Sequence, residues 1–147
     1  MRVSEVLARR QYLSVTSTLT AAAWNTVATH EVFTITGTVR MQLLPLITTS
    51  LTSGGALTAQ IGIEGATTAF VGNTALAALV LNTAWLSTTP TGQYASTSLI
   101  DRVVTAGLDV GYEILTAAAT AGVIVWHCWW EPLVSGSSVV AGTGAAL

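Results

Sequence analysis

The stretch VIVWHCWWEPL, residues 123–133, holds three of the five tryptophans, one of the two histidines and the only cysteine of the chain. Three chemistries suit such a cluster: metal or thiol redox chemistry at His127 and Cys128, stacking of a ligand on an indole ring, or plain burial of a strand with both faces covered. Neighbours on a strand point to opposite faces, so His127 and Cys128 cannot chelate one ion together. His30 and His127 could meet across strands, with Glu31 or Glu131, as a minimal two-histidine, one-carboxylate site. An ordinary hydrogen-bonded histidine is the simpler expectation. No catalytic motif accompanies these residues. A Walker phosphate loop needs a lysine, and the chain has none. The terminal GTGAAL lacks the third glycine and the following helix of a dinucleotide turn, and no GxSxG elbow is present. A triad of His30, Asp101 and some serine can be drawn on paper, as in most proteins. Glu64, Asp101, Asp109, Glu113 and Glu131 are scattered near expected strand ends and turns, which argues against a glycosidase carboxylate pair. The expectation is a non-enzymatic protein with no cofactor and no metal site.

The elements that would position the cluster follow from composition and period. The chain has 147 residues, of which 51% are hydrophobic and only 8% charged, against about 25% charged in an average protein. Twenty-four residues are threonine and thirteen are glycine, a mixture that favours strands joined by tight turns. Length points to one domain able to bury a core without metals or disulfides. A net charge of −2 with no lysine offers no basic patch for nucleic acid. The longest apolar run, ALAALVL at 75–81, is far short of the ~20 residues of a spanning helix. The start, MRVSEVLARRQYL, lacks the apolar core of a secretory signal that a transmembrane barrel would need. Neither nucleic acid nor membrane is therefore an expected partner. Scarce charge instead suggests burial by other protein chains, because such a surface associates readily.

Period-two alternation begins after Gln11. VFTITGTVRMQL sets Phe33, Ile35, Val39, Met41 and Leu43 on one face of a single long strand, with Gly37 as a bulge or close approach. Pro45 is expected to end regular pairing or mark an edge. TSLTSGGALTAQIGIEG reads as a hairpin turning at Ser53–Gly55, with Leu57, Ala59, Ile61 and Ile63 inward. Further turns are expected at Gly72–Asn73, at 109–111 and at 120–122, with strands over 99–104 and 112–118 and an exposed loop over 87–98. In the aromatic strand Val123, Val125, His127 and Trp129 share one face, and Ile124, Trp126, Cys128 and Trp130 the other. A strand apolar on both faces must be covered on both. The fold expected is all-β: a single-domain antiparallel β-sandwich or jelly-roll-like barrel with a short N-terminal arm. Its divisions are an arm and first strand over 1–25, a sandwich over 26–134 and a flexible small-residue tail over 135–147. The subunit interface expected from the aromatic strand comprises Val125, His127, Trp129, Trp130 and Pro132, since tryptophan favours interfaces.

VATHEVFTITGTVRMQLLPLITTSLTSGGALTAQIGIEG and the closing IVWHCWWEPLVSGSSVVAG carry a pattern of their own. Phe33, Ile35, Thr36, Gly37 and Val39 at one end, and Trp130, Pro132, Leu133, Ser135 and Gly136 at the other, resemble small structural proteins of tailed bacteriophages. The likeness spans about residues 27–142. It implies a virion component on the capsid exterior, assembled in the host cytoplasm: a head decoration (cement) protein, trimeric, seated on the major capsid protein lattice. Residues 1 to about 25 lie outside the likeness; Arg2, Val3, Val6, Leu7, Arg9 and Arg10, with Val3, Val6 and Leu7 on one face, are expected to form an arm that grips the shell. A tail, neck or fibre-base component is an alternative. A lectin-like ligand-binding sandwich using Trp129 and the 87–98 loop is the alternative of another class.

Overall fold

The computed structural model describes residues 10–92 and 98–147. Among these residues eleven strands, one α-helical turn and one 3-10 turn follow in chain order: β1 (Gln11–Thr18), α1 (Ala22–Asn25), β2 (Thr29–Thr36), β3 (Val39–Ser53), β4 (Thr58–Ile63), β5 (Ala66–Ala75), the 3-10 turn (Leu76–Ala78), β6 (Thr83–Ala84), β7 (Thr91–Gly92), β8 (Ile100–Val104), β9 (Val110–Leu115), β10 (Ala119–Pro132) and β11 (Ser138–Ala141). They form two antiparallel sheets. In the first the order is β1-β10-β3-β6-β7, with β8 also on β3; in the second it is β11-β2-β9-β4-β5. The pairs β1·β10, β2·β9, β3·β8 and β4·β5 are nested, as if one long hairpin were wrapped across two sheets. That nested pairing is the jelly-roll form of the sandwich, and it bears out the expected all-β single domain.

The wrap corrects several local expectations. Residues 32–43 do not form one strand: Gly37, at φ +70°, turns the chain out of β2 and into β3 in the other sheet. Only glycine takes that conformation without strain. The inward positions survive the break, with Phe33 and Ile35 buried from one sheet and Val39, Met41 and Leu43 from the other. The glycines at 54–55 likewise cross between sheets rather than closing a hairpin, since β3 and β4 never pair. Gly72 and Asn73 lie within β5, and the turn before it falls at Glu64–Gly65. Gly111 lies within β9, whose preceding turn is at Ala106–Gly107. Thr120 to Gly122 belong to β10, where they make an irregularity in its register with β3.

Pro45 sits in the middle of β3, opposite Trp126, and not at its end. Pairing to β8 stops at Leu43 and pairing to β6 starts at Leu46. The Pro45 carbonyl accepts from the Trp85 N–H, so this side of the residue faces that break and no ladder bond needs the missing N–H. The tail expected to be flexible is a sheet element: β11 pairs with β2. Beyond it Gly142, Ala145 and Gly144 continue backbone bonds to Val32 and Glu31. The small-residue tail is laid along the chain's own second sheet, with Val139 and Gly144 buried and most of its other residues exposed.

One core fills the sandwich. Trp85, Trp126, Tyr112 and Phe33 are its largest fully buried side chains. Trp126 stacks on Tyr112 with centroids 5.4 Å apart and tilts against Trp85 at 6.1 Å. Both indole N–H groups are satisfied, Trp85 donating to Thr74 Oγ1 at 3.0 Å and Trp126 to Ser17 Oγ at 2.9 Å. Cys128 is fully buried beside them, and burial pushes its thiol up to about 12 from 9.0. Burial raises the Tyr112 phenol in the same direction. In the fold these groups keep their protons while the unfolded chain ionises, so the associated stability is complete below pH 9 and drains away as pH climbs toward 12. Denaturant titrations from pH 8 to 11 are expected to lose stability at up to about 1.4 kcal/mol per pH unit from the thiol alone. The slope should flatten in Cys128→Ala; an unchanged slope would show that the thiol is not sealed from water.

Candidate functional site

The outward face of the first sheet gathers the residues singled out in the sequence. Four strands build it in register. Tyr12 of β1 lies opposite Trp129 of β10, Trp129 opposite Gln42 of β3, and Gln42 opposite Asp101 of β8. The next row is Ser14, His127 and Leu44; the one after is Thr16, Val125, Leu46 and Ala84. Val125, His127 and Trp129 are half-buried on this face, as are Leu44 and Leu46. Two exposed apolar side chains flank it, Tyr12 at 53% and Val103 at 57%.

Tyr12, His127 and Trp129 form one aromatic group. Ring centroids lie 6.0 Å apart for Tyr12–His127, 5.4 Å for Tyr12–Trp129 and 6.2 Å for His127–Trp129. The Tyr12 hydroxyl is 2.7 Å from His127 Nδ1, which fixes the imidazole against β1. At the end of the face Arg40 grips Asp101 side-on, Nη2 to Oδ2 at 2.8 Å and Nε to Oδ1 at 3.2 Å. Gln42 donates to the same Oδ2 at 3.2 Å, and Glu131 stands 3.7 Å from Arg40. The Arg40 guanidinium holds the Asp101 carboxyl below its usual range. A shallow cleft between this ion cluster and the rings is lined by Arg10, Arg40, Gln42, Trp129, Trp130 and Glu131. A carboxylate so fully occupied by a guanidinium and an amide is placed to order the surface rather than to exchange a proton with a substrate.

Of the expected interface residues, Val125, His127 and Trp129 stand together on this face, and Pro132 is half-buried at the end of β10. Trp130 is a correction: it points to the opposite, inner face with 6% exposed, because alternation along β10 sends it to the core with Trp126 and Cys128. Of the expected arm, Arg10 is exposed just before β1, while Arg2, Val3, Val6, Leu7 and Arg9 lie outside the described residues. Tyr12, Leu44 and Leu46 were not anticipated. The run LLPLI carries a signal for the two leucines, since a strand without alternation is apolar on both faces. Nothing local marks Tyr12; only pairing in register brings it to Trp129.

The two histidines do not meet. His30 is buried at the other sheet, 2% exposed, with Nδ1 2.8 Å from the Ala23 carbonyl and Nε2 2.8 Å from that of Thr26. It pins the α1 segment over the end of the core, a structural task. Among the described residues no three of His, Cys, Asp or Glu are grouped to hold a metal ion. Asp109 accepts the Ile35 N–H at 2.8 Å. No family model, curated protein or solved structure matches the chain.

Proposed function

We propose that this chain is a non-enzymatic structural protein of a tailed-phage virion, a capsid decoration protein that stabilises the head through contacts with its own copies and with the major capsid protein lattice. The observation that carries this reading is the outward face of the first sheet. Its centre is apolar and aromatic, with Val125, His127, Trp129, Leu44 and Leu46 each only half-buried, and Arg40, Asp101 and Glu131 are paired at one end. The resemblance of residues 27–142 to phage structural proteins and the 8% charged composition point the same way. A neutral hydroxyl-rich surface can be buried against other chains without desolvating many charges. Jelly rolls serve viral capsid and lectin domains alike, so the fold by itself does not choose between them.

The expected result is a homo-oligomer, a trimer on the resemblance, that co-sediments with expanded empty heads and not with immature ones. Trp129→Ala combined with Val125→Asp should shift the protein to smaller species and abolish co-sedimentation while its circular dichroism is unchanged. A wild-type monomer that ignores expanded heads would overturn the reading. The lectin-like alternative draws on the cleft beside Trp129, where a sugar ring could stack with Gln42, Glu131 and Arg10 as hydrogen-bonding groups. It predicts glycan binding that is lost in Trp129→Ala at unchanged oligomer mass.

A further inference from the structure

We propose that the outer edge of β1 is a strand-addition site for a second copy of this chain, joined β1 to β1 in antiparallel sense about a twofold axis. The argument rests on how differently the sheet edges are defended. An edge strand presents unpaired N–H and C=O groups, and proteins normally blunt it with charge, proline, bulges or brevity. At the edges of the two sheets, β7 has two residues, β11 has four, and β8 has five that include Asp101 and Arg102. β5 has ten, but its register with β4 shifts twice. β1 has none of these protections. Its eight residues, QYLSVTST, contain no charge and no proline, and they pair with β10 without a single register shift. Among the described residues nothing pairs with its other side.

The strand's chemistry favours a copy of itself as occupant. Opposite residues in an antiparallel pair lie on the same face, so a twofold pairing sets the outward side chains Tyr12, Ser14, Thr16 and Thr18 against one another. Those side chains are all exposed. Self-pairing places like beside like, which is repulsive for a charged strand. Here every outward group is a hydroxyl, able both to donate and to accept, so the surface is complementary to itself. An isologous contact of this kind closes on two copies. It joins the first sheets of both into one continuous sheet and makes the outward aromatic faces coplanar neighbours. The inference does not rest on the virion reading, because it is argued from the unpaired backbone edge of β1, although Tyr12, Ser14 and Thr16 also belong to the outward face.

The test is made on the full chain. Ser14→Lys and Thr16→Lys are expected to remove the twofold contact and so halve the oligomer mass in sedimentation, from dimer to monomer or, where a threefold contact also forms, from hexamer to trimer, because each sets lysines of both copies near the axis, whereas Thr48→Lys, on the exposed surface of β3, should leave it unchanged. Ser14→Cys should be captured as a covalent dimer by a short bis-maleimide, the native Cys128 staying silent because it is fully buried. Circular dichroism and thermal melting of each variant establish that it is folded. A wild-type monomer, or an oligomer whose mass is indifferent to both lysines and whose Ser14→Cys variant gives no covalent dimer, would overturn the proposal, even if Trp129→Ala dissociates the protein through the outward face.

Discussion

Trp126→Ala is expected to cost about 3–5 kcal/mol, the range for deleting a fully enclosed aromatic ring. The ring has 0% exposure, and it bridges the two sheets, from β10 of the first to Tyr112 of the second at 5.4 Å. Its removal leaves a cavity that two paired sheets cannot collapse to fill. It also takes away the donor that Ser17 Oγ accepts at 2.9 Å, on a side chain with no exposed surface. For a domain of this size the melting temperature should fall by roughly 6–20 °C, at about 2–4 °C per kcal/mol. Since native proteins hold only about 5–15 kcal/mol in reserve, the variant should sit near the limit of folding. Trp126→Phe keeps a ring to stack on Tyr112 but loses the N–H bond and part of the indole volume, so it should recover about half of the loss. Measurements belong at one fixed protein concentration, because self-association stabilises by mass action. A loss below about 1 kcal/mol would mean that this indole is not enclosed between the sheets.

Gly111→Ala should be among the most damaging single methyls in the protein. A Cβ at that position would fall 2.2 Å from the His30 carbonyl oxygen and 2.7 Å from Leu147 Cδ1. Gly111 is paired with Gly62, where a Cβ would likewise fall 2.2 Å from the Ala66 carbonyl. Leu147 can swing aside, but the His30 and Ala66 carbonyls are backbone, so no rotamer change relieves them; at Gly111, β2 must move away from β9. That movement would draw His30 from the carbonyls of Ala23 and Thr26 and loosen the α1 segment. The expected loss is about 3 kcal/mol or more, in the upper range of single substitutions. Gly54→Ala is the control. A Cβ there meets nothing within 4 Å, so the loss of unfolded-chain freedom should leave the protein unchanged or stabilised by about 0.4–1 kcal/mol. Equal urea midpoints for the two alanine variants would refute the close approach at Gly111.

Alternation in the sequence was enough to place side chains on faces. Phe33, Ile35, Val39, Met41 and Leu43 point inward as expected, and so do Ile124, Trp126 and Cys128. The all-β class was legible too, because frequent threonine, β-branched residues and glycine carry local conformational preference. Half of the candidate site could be read from β10 alone, since Val125, His127 and Trp129 are two residues apart and a strand repeats every two.

The pairing of strands was decided by the tertiary structure. A turn at Gly37 or at Gly54–Gly55 has the same local chemistry whether the chain folds back beside itself or crosses to the opposite sheet. The choice is made by which arrangement buries both inner faces, and that is a property of the whole chain. Trp130 entered the core for the same reason: its neighbour Trp129 is equally apolar, and only the position of the second sheet makes one inward and the other outward. Tyr12 reaches Trp129, and Asp101 reaches Arg40, across more than sixty residues of sequence, because register sums contacts along entire strands. Local preference therefore determined what each segment of this protein is, and the mutual burial of two sheets determined what each segment touches.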